Sequence, residues 1–121
     1  MSSSKYLMAF ALASTCISAC AAPSISCPAT IKDNLHAYPL ADASLFDGPP
    51  GNLADLMPDT DKEMAWTLPL YQKGAQDRGE SLYFVCHYAK TQKTVTLQVP
   101  KIAKKCSVYG NDKGQTFAVC E

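Results

Sequence analysis

Apolar and polar positions alternate along several stretches of this chain, and each such stretch predicts a β-strand. Ser24–Ile31 alternates and carries β-branched residues, with Pro28 lacking an amide donor and so confining the strand to a sheet edge or a bulge. Trp66–Tyr71 alternates again. The clearest pattern is Leu82–Tyr88, which sets Leu82, Phe84, Cys86 and Tyr88 on one face and Tyr83, Val85 and His87 on the other. After a turn at Lys90–Lys93, Val95, Leu97 and Val99 supply the inward face of a return strand, so residues 81–100 are predicted as a hairpin. A second hairpin pairs Cys106–Tyr109 with Thr116–Cys120 across the turn Gly110–Gly114.

Between Lys32 and Pro69 the alternation fails. Phe46–Asn52 is dense in turn formers, and Leu53–Pro58 has room for at most about a turn and a half of helix before proline stops it. The segment is predicted as a long ordered loop, pinned by Leu45, Phe46, Leu53, Leu56 and Met57. Lys73–Glu80, with Gly74 and Gly79 among charges, reads as a turn. The expected class is mainly β: a small antiparallel β-sandwich or open barrel with long loops, formed by residues 22–121 as a single domain.

The start of the chain has a different character. A short basic beginning, an uncharged run over Tyr6–Ile17 and the small-x-small pattern Ala19-Cys20-Ala21 make residues 1–21 a predicted signal peptide, removed on export to the periplasm. Ile17-Ser18-Ala19-Cys20 also fits a lipobox, and the alternative is a lipoprotein anchored through Cys20. The apolar run is too short to span a membrane, which takes roughly 20 residues.

Either processing route leaves Cys27, Cys86, Cys106 and Cys120 in the mature domain, and in an exported chain these predict two disulfides. Three connectivities are open. The register of the second hairpin favours Cys106 with Cys120, because they fall opposite each other when Tyr109 faces Phe117, and this leaves Cys27 for Cys86. The spacings fit no zinc site, and no metal or other cofactor is expected.

Formal net charge is +0, which argues against nucleic acid as the partner. The distribution is uneven. Residues 22–80 hold nine acids against four basic side chains, and residues 81–121 hold six lysines against two acids. This asymmetry would steer a charged protein partner, or let the two halves of one domain attract each other.

Catalytic chemistry finds little support. The chain has no Gly-x-Ser-x-Gly elbow and no phosphate-binding glycine loop; His87 has no evident carboxylate partner, and Asp59 and Asp61 read as turn residues. Trp66, Tyr71, Tyr83, Phe84 and Tyr88 are expected in the core. The segment Phe46, Asp47, Gly48, Pro49, Pro50 and Asn52 differs, because a double proline between glycines is stiff, exposed and loses little entropy when bound. It is the predicted partner-binding loop of a protein that is not an enzyme.

Several features recur together in a fixed order: Ser26-Cys27-Pro28, Phe46-Asp47-Gly48-Pro49-Pro50, Leu56-Met57-Pro58, Trp66-Thr67-Leu68, Tyr83-x-x-Cys86-x-Tyr88, Val99-Pro100 and Cys106. In this layout the chain resembles a family of small exported enterobacterial proteins. Some similar proteins are periplasmic immunity proteins against type VI secretion effectors that target peptidoglycan, including effectors with an L,D-transpeptidase-like domain. The resemblance implies a protein partner of that kind and brings no catalytic residues with it. Two alternatives stay open: an inhibitor of host lysozyme, and a non-catalytic structural or stress protein of the cell envelope.

Overall fold

The computed structural model describes residues 23–121; the predicted signal peptide and Cys20 lie outside the described residues. The elements in chain order are β1 (Ile25–Ser26), β2 (Thr30–Asp33), β3 (His36–Asp47), a single 3₁₀ turn (Pro50–Asn52), β4 (Asp55–Leu56), β5 (Met64–Thr67), α1 (Pro69–Asp77), β6 (Leu82–Tyr88), β7 (Thr94–Gln98), β8 (Lys105–Gly110) and β9 (Thr116–Cys120). All strand pairs are antiparallel. One sheet runs β1-β9-β8-β5; the other runs β2-β3-β6-β7, with β4 also paired to β3. The mainly β expectation and both hairpins hold, including the register that sets Tyr109 opposite Phe117 and Cys106 opposite Cys120.

Four local expectations are overturned, one of them the strand over Trp66–Tyr71, which ends at Thr67 because Pro69 opens a helix. The strand expected over Ser24–Ile31 is two short strands in different sheets, because the chain crosses between the sheets at Cys27-Pro28-Ala29. The crossing is hydrogen-bonded at both ends, with Cys27 N donating to Ala118 O at 2.9 Å and Leu40 N donating to Ala29 O at 2.8 Å. The long loop expected between residues 32 and 69 contains β3, the longest strand, which pairs with β6 across Leu40–Asp47. The register shifts between Leu40 and Asp42, so the buried positions run Leu40, Ala43, Leu45. That extra residue breaks the period of two which a strand is recognised by.

The turn expected at Lys73–Glu80 is mostly helix. Pro69 opens α1, where a missing amide donor costs nothing. Its end is a Schellman cap: Gly79 has φ +71°, Glu80 N donates to Ala75 O at 2.8 Å and Gly79 N donates to Gln76 O at 3.0 Å. α1 buries Ala75 and Gln72. Gln72 is a buried polar residue, satisfied by donating from Nε2 to Pro100 O at 2.8 Å and Ala103 O at 3.3 Å.

The core lies between the sheets. Leu82, Phe84, Cys86 and Tyr88 of β6 and Leu40, Ala43 and Leu45 of β3 face Trp66, Cys106, Ala118 and Cys120. Trp66 meets Phe84 edge to face, with ring centroids 6.1 Å apart, and its indole N–H donates to Leu56 O at 2.9 Å. Two disulfides staple this core: Cys27–Cys86 with a Cα separation of 5.8 Å, and Cys106–Cys120 at 4.0 Å.

The two bridges close chain segments of very different length, 59 and 14 residues. In the chain-entropy account, removing Cys27–Cys86 by paired Cys→Ala exchange lowers unfolding free energy by about 4 kcal/mol and removing Cys106–Cys120 by about 3. Chemical denaturation of the two variants checks this ordering. Tyr88 offers a second test, because its hydroxyl donates to Pro28 O at 2.8 Å and holds the crossing from the other side. Burial raises this phenol above its ordinary 10.0, so the folded chain keeps the proton more tightly than the unfolded one. The contribution is complete below about pH 10 and is lost as pH rises through the raised pKa. Tyr88→Phe is expected to cost about 1 kcal/mol at neutral pH, and to lose less stability than the parent on titration into alkali.

Candidate functional site

β3 ends at Asp47 and the chain returns as β4, with Leu45 opposite Leu56 and Phe46 opposite Asp55. The predicted partner-binding residues therefore form the tip of a hairpin rather than part of a long ordered loop. Phe46 and Asp47 close its base, both half-buried. Asp47 N donates to Ala54 O at 3.0 Å, and Gly48 N donates to Ser81 O at 3.0 Å. Gly48 is buried with φ +88°, a backbone conformation that favours glycine; a Cβ there would stand 2.6 Å from Oε2 at the mobile end of Glu80, which would have to swing aside. Pro49 is exposed; Pro50 and Asn52 bound the 3₁₀ turn, closed by Asn52 N to Pro49 O at 2.9 Å.

Charge braces the hairpin against the end of α1. Arg78 bonds Asp47 through Nη2 and lies 3.5 Å from Glu80 through Nε, so one guanidinium ties the base of the tip to the segment leading into β6. The double proline stiffens the backbone from within, and the arginine fixes where it points.

The most unusual residue of the tip was not among those singled out from the sequence as binding. Leu53 has φ +59° and is 82% exposed. A leucine in the left-handed region is strained, and an aliphatic side chain in water gains nothing from the fold. Met57, 79% exposed, follows on the far side of β4. Both were expected to pin the segment down; only Leu45 is fully buried, with Leu56 packed against the core and Phe46 half-buried. No sequence signal separates Leu53 from Leu56, since both are leucines in a Pro-rich segment.

The remaining candidates for chemistry take structural places. Asp59 Oδ2 accepts from Thr67 N at 2.8 Å and Thr67 Oγ1 at 2.6 Å, which caps the end of β5. Ser44 Oγ and His87 Nε2 share a hydrogen bond at 3.0 Å on the outer face of the β3–β6 pair. The nearest acid in register, Asp42, directs Oδ1 to the backbone of Ala43 instead of the imidazole. The histidine thus has no orienting carboxylate, and the pair sits on a sheet face rather than in a cleft. Among the described residues no three His, Cys, Asp or Glu side chains gather as metal ligands.

The brace predicts a separation of stability from order. Asp47–Arg78 is solvent-accessible, so Arg78→Ala is expected to lower unfolding free energy by no more than about 1 kcal/mol. It should nevertheless raise amide exchange across residues 47–54 selectively, leaving β6 and β8 protected, which hydrogen-exchange mass spectrometry resolves. Gly48→Ala is expected to cost about 1 to 2 kcal/mol, because its left-handed backbone strains any L side chain.

No curated protein and no solved structure matches this chain. A family model does: that of the Type VI secretion system Tli immunity protein matches residues 32–121, from the end of β2 through β9, including the braced hairpin, α1 and three of the four bridged cysteines. By that match, which spans most of its length, the chain belongs to the Type VI secretion system Tli immunity protein family.

Proposed function

We propose that this chain works in the periplasm as a non-catalytic inhibitor, binding a peptidoglycan-targeting type VI effector and covering its active-site cleft with the hairpin tip Gly48–Leu53. Family membership supports a protein partner, and two disulfides in the described domain fit an oxidising compartment. The observation that carries the choice of site is Leu53, which combines backbone strain with an exposed aliphatic side chain at the end of a braced, proline-stiffened tip. Strain that the surrounding structure holds in place is a mark of function. A rigid projection with one apolar anchor loses little entropy on entering a cleft. In this arrangement Pro49, Pro50 and Asn52 form the walls of the tip, while Phe46, Asp47 and Gly48 hold it in position.

Leu53→Asn separates this role from folding, because asparagine tolerates the left-handed region and is at home in water. The variant is expected to be as stable as the parent or slightly more so. Its affinity for the cognate effector should fall about 10- to 100-fold, the loss expected when a buried leucine contact is removed. Survival of cells exporting that effector, together with calorimetry on the purified pair, reads both quantities. Full protection by a folded Leu53→Asn protein would remove the tip from the interface.

A further inference from the structure

A second surface shares no residue with the hairpin tip. The turn Pro100–Lys104 lies against α1, held there by the Gln72 amide and by Gln76 Nε2, which donates to Lys101 O at 3.2 Å. Leu68 N donates to Lys104 O at 2.9 Å, and Ala103 N to Pro100 O at 3.0 Å. The turn is thus fixed in shape, with Ala103 inward and Ile102 outward, 63% exposed. Between helix and turn runs an open groove of about 410 Å³, lined by Pro69, Lys73, Asp77, Lys101, Ile102 and Lys104 among others. On the helix, Leu70 stands one turn before Lys73 and is also exposed.

The charges of this groove are unmatched. Three lysines face one acid, Asp77, and none of the three makes an ion pair among the described residues. The ion pairs of the fold lie elsewhere: Arg78 with Asp47 and Glu80, and Lys93 with Asp33. Among the described residues only the last joins the acidic and basic halves, so mutual attraction of the halves leaves the 101–105 lysines without ion-pair partners there. Glu121 meets Lys104 and Lys105 through backbone hydrogen bonds.

We propose that this groove docks an acidic, apolar-centred polypeptide segment of the effector, with carboxylates on Lys73, Lys101 and Lys104 and one aliphatic or aromatic side chain on Ile102. The inference rests on the immunity reading for the identity of the partner, and on charge complementarity for the chemistry of the segment. A peptide answers the geometry better than a free phosphate. The Gln72 amide gives both its protons to carbonyls and Gln76 gives one to Lys101 O, so little is left to cradle an anion, and an exposed isoleucine in the groove offers an anion nothing. Peripheral charge of this kind speeds encounter more than it deepens affinity.

The test has two independent parts. In the first, the oxidised ¹⁵N-labelled protein is titrated with the peptide Asp-Glu-Leu-Leu-Asp-Glu, with its all-lysine counterpart, and with inorganic phosphate. The acidic peptide is expected to shift the backbone amides of Ile102 and Ala103 and the side-chain amides of Gln72 and Gln76, with an apparent Kd that weakens as salt rises. The lysine peptide should leave them unmoved. Absence of these shifts at millimolar acidic peptide, or the same shifts from phosphate alone, overturns the proposal. In the second, association of the purified effector is followed for the parent and for Lys101→Glu/Lys104→Glu. These exposed substitutions spare the core, and circular dichroism verifies the fold. The double variant is expected to associate about tenfold or more slowly at low salt, with a flatter salt dependence. An unchanged on-rate sinks the groove as an effector surface while leaving the immunity reading intact. An effector that ignores the parent protein sinks the immunity reading, and the peptide titration then decides by itself whether the groove takes acidic segments.

Discussion

The bond between Cys27 and Cys86 connects the point where the chain leaves one sheet with the middle of β6, the strand at the heart of the other. In a domain of about 100 residues a cross-link adds to the apolar core by constraining the unfolded chain. The chain passes between the two layers four times, and the crossing at Cys27-Pro28-Ala29 lies far along the chain from the strand it must meet. The disulfide fixes that encounter, the Tyr88 hydroxyl secures Pro28 beside it, and Ala43, directly opposite Cys86 on β3, is small enough to leave room for the bridge. Once β6 is anchored, β3 pairs along it, and the end of β3 carries the hairpin tip. The placement of the hairpin tip therefore depends on a covalent link further along the same strand pair.

Much of this was legible in the residues wherever a strand keeps its period. Leu82 to Tyr88 announces its buried face at every second position, and the turn of the last hairpin sets the register that puts Cys106 across from Cys120. β3 was not legible because its inward residues change parity at the bulge: Leu40 lies at an even position, Ala43 and Leu45 at odd ones. Pro39 inside the strand and Asp42 and Ser44 on its outer face completed the disguise. α1 is different, since its signals were present. Proline at the first position and glycine just past the end are the expected punctuation of a helix, but the interior, with Gly74 and few apolar residues, carries too weak a stripe to be recognised.

The hairpin tip shows the same division. Its position in sequence and its turn chemistry were readable from Gly48-Pro49-Pro50, while its most exposed apolar side chain was not. Exposure of Leu53 follows from its left-handed backbone, and that conformation is imposed by the 3₁₀ turn before it, where its N–H bonds Pro50 O at 3.0 Å. Nothing in the identity of a leucine foretells such a placement. The site thus appears only when local geometry and burial are considered together.

If the two exposed surfaces meet the effector as proposed, they divide the work of recognition along physical lines. The tip is rigid, strained and centred on an aliphatic side chain, which suits it to the close contact that governs dissociation. The helix–turn groove is braced by neutral glutamine amides and edged with lysines that form no ion pair among the described residues, which suits it to the long-range attraction that governs encounter. Both depend on backbone order more than on local stability. The tip is held by Arg78 immediately after α1, and the groove by Gln72 and Gln76 within it, so this nine-residue helix orients the two surfaces relative to one another. An element that the sequence all but hides is in this way the one that links the strained tip to the charged groove.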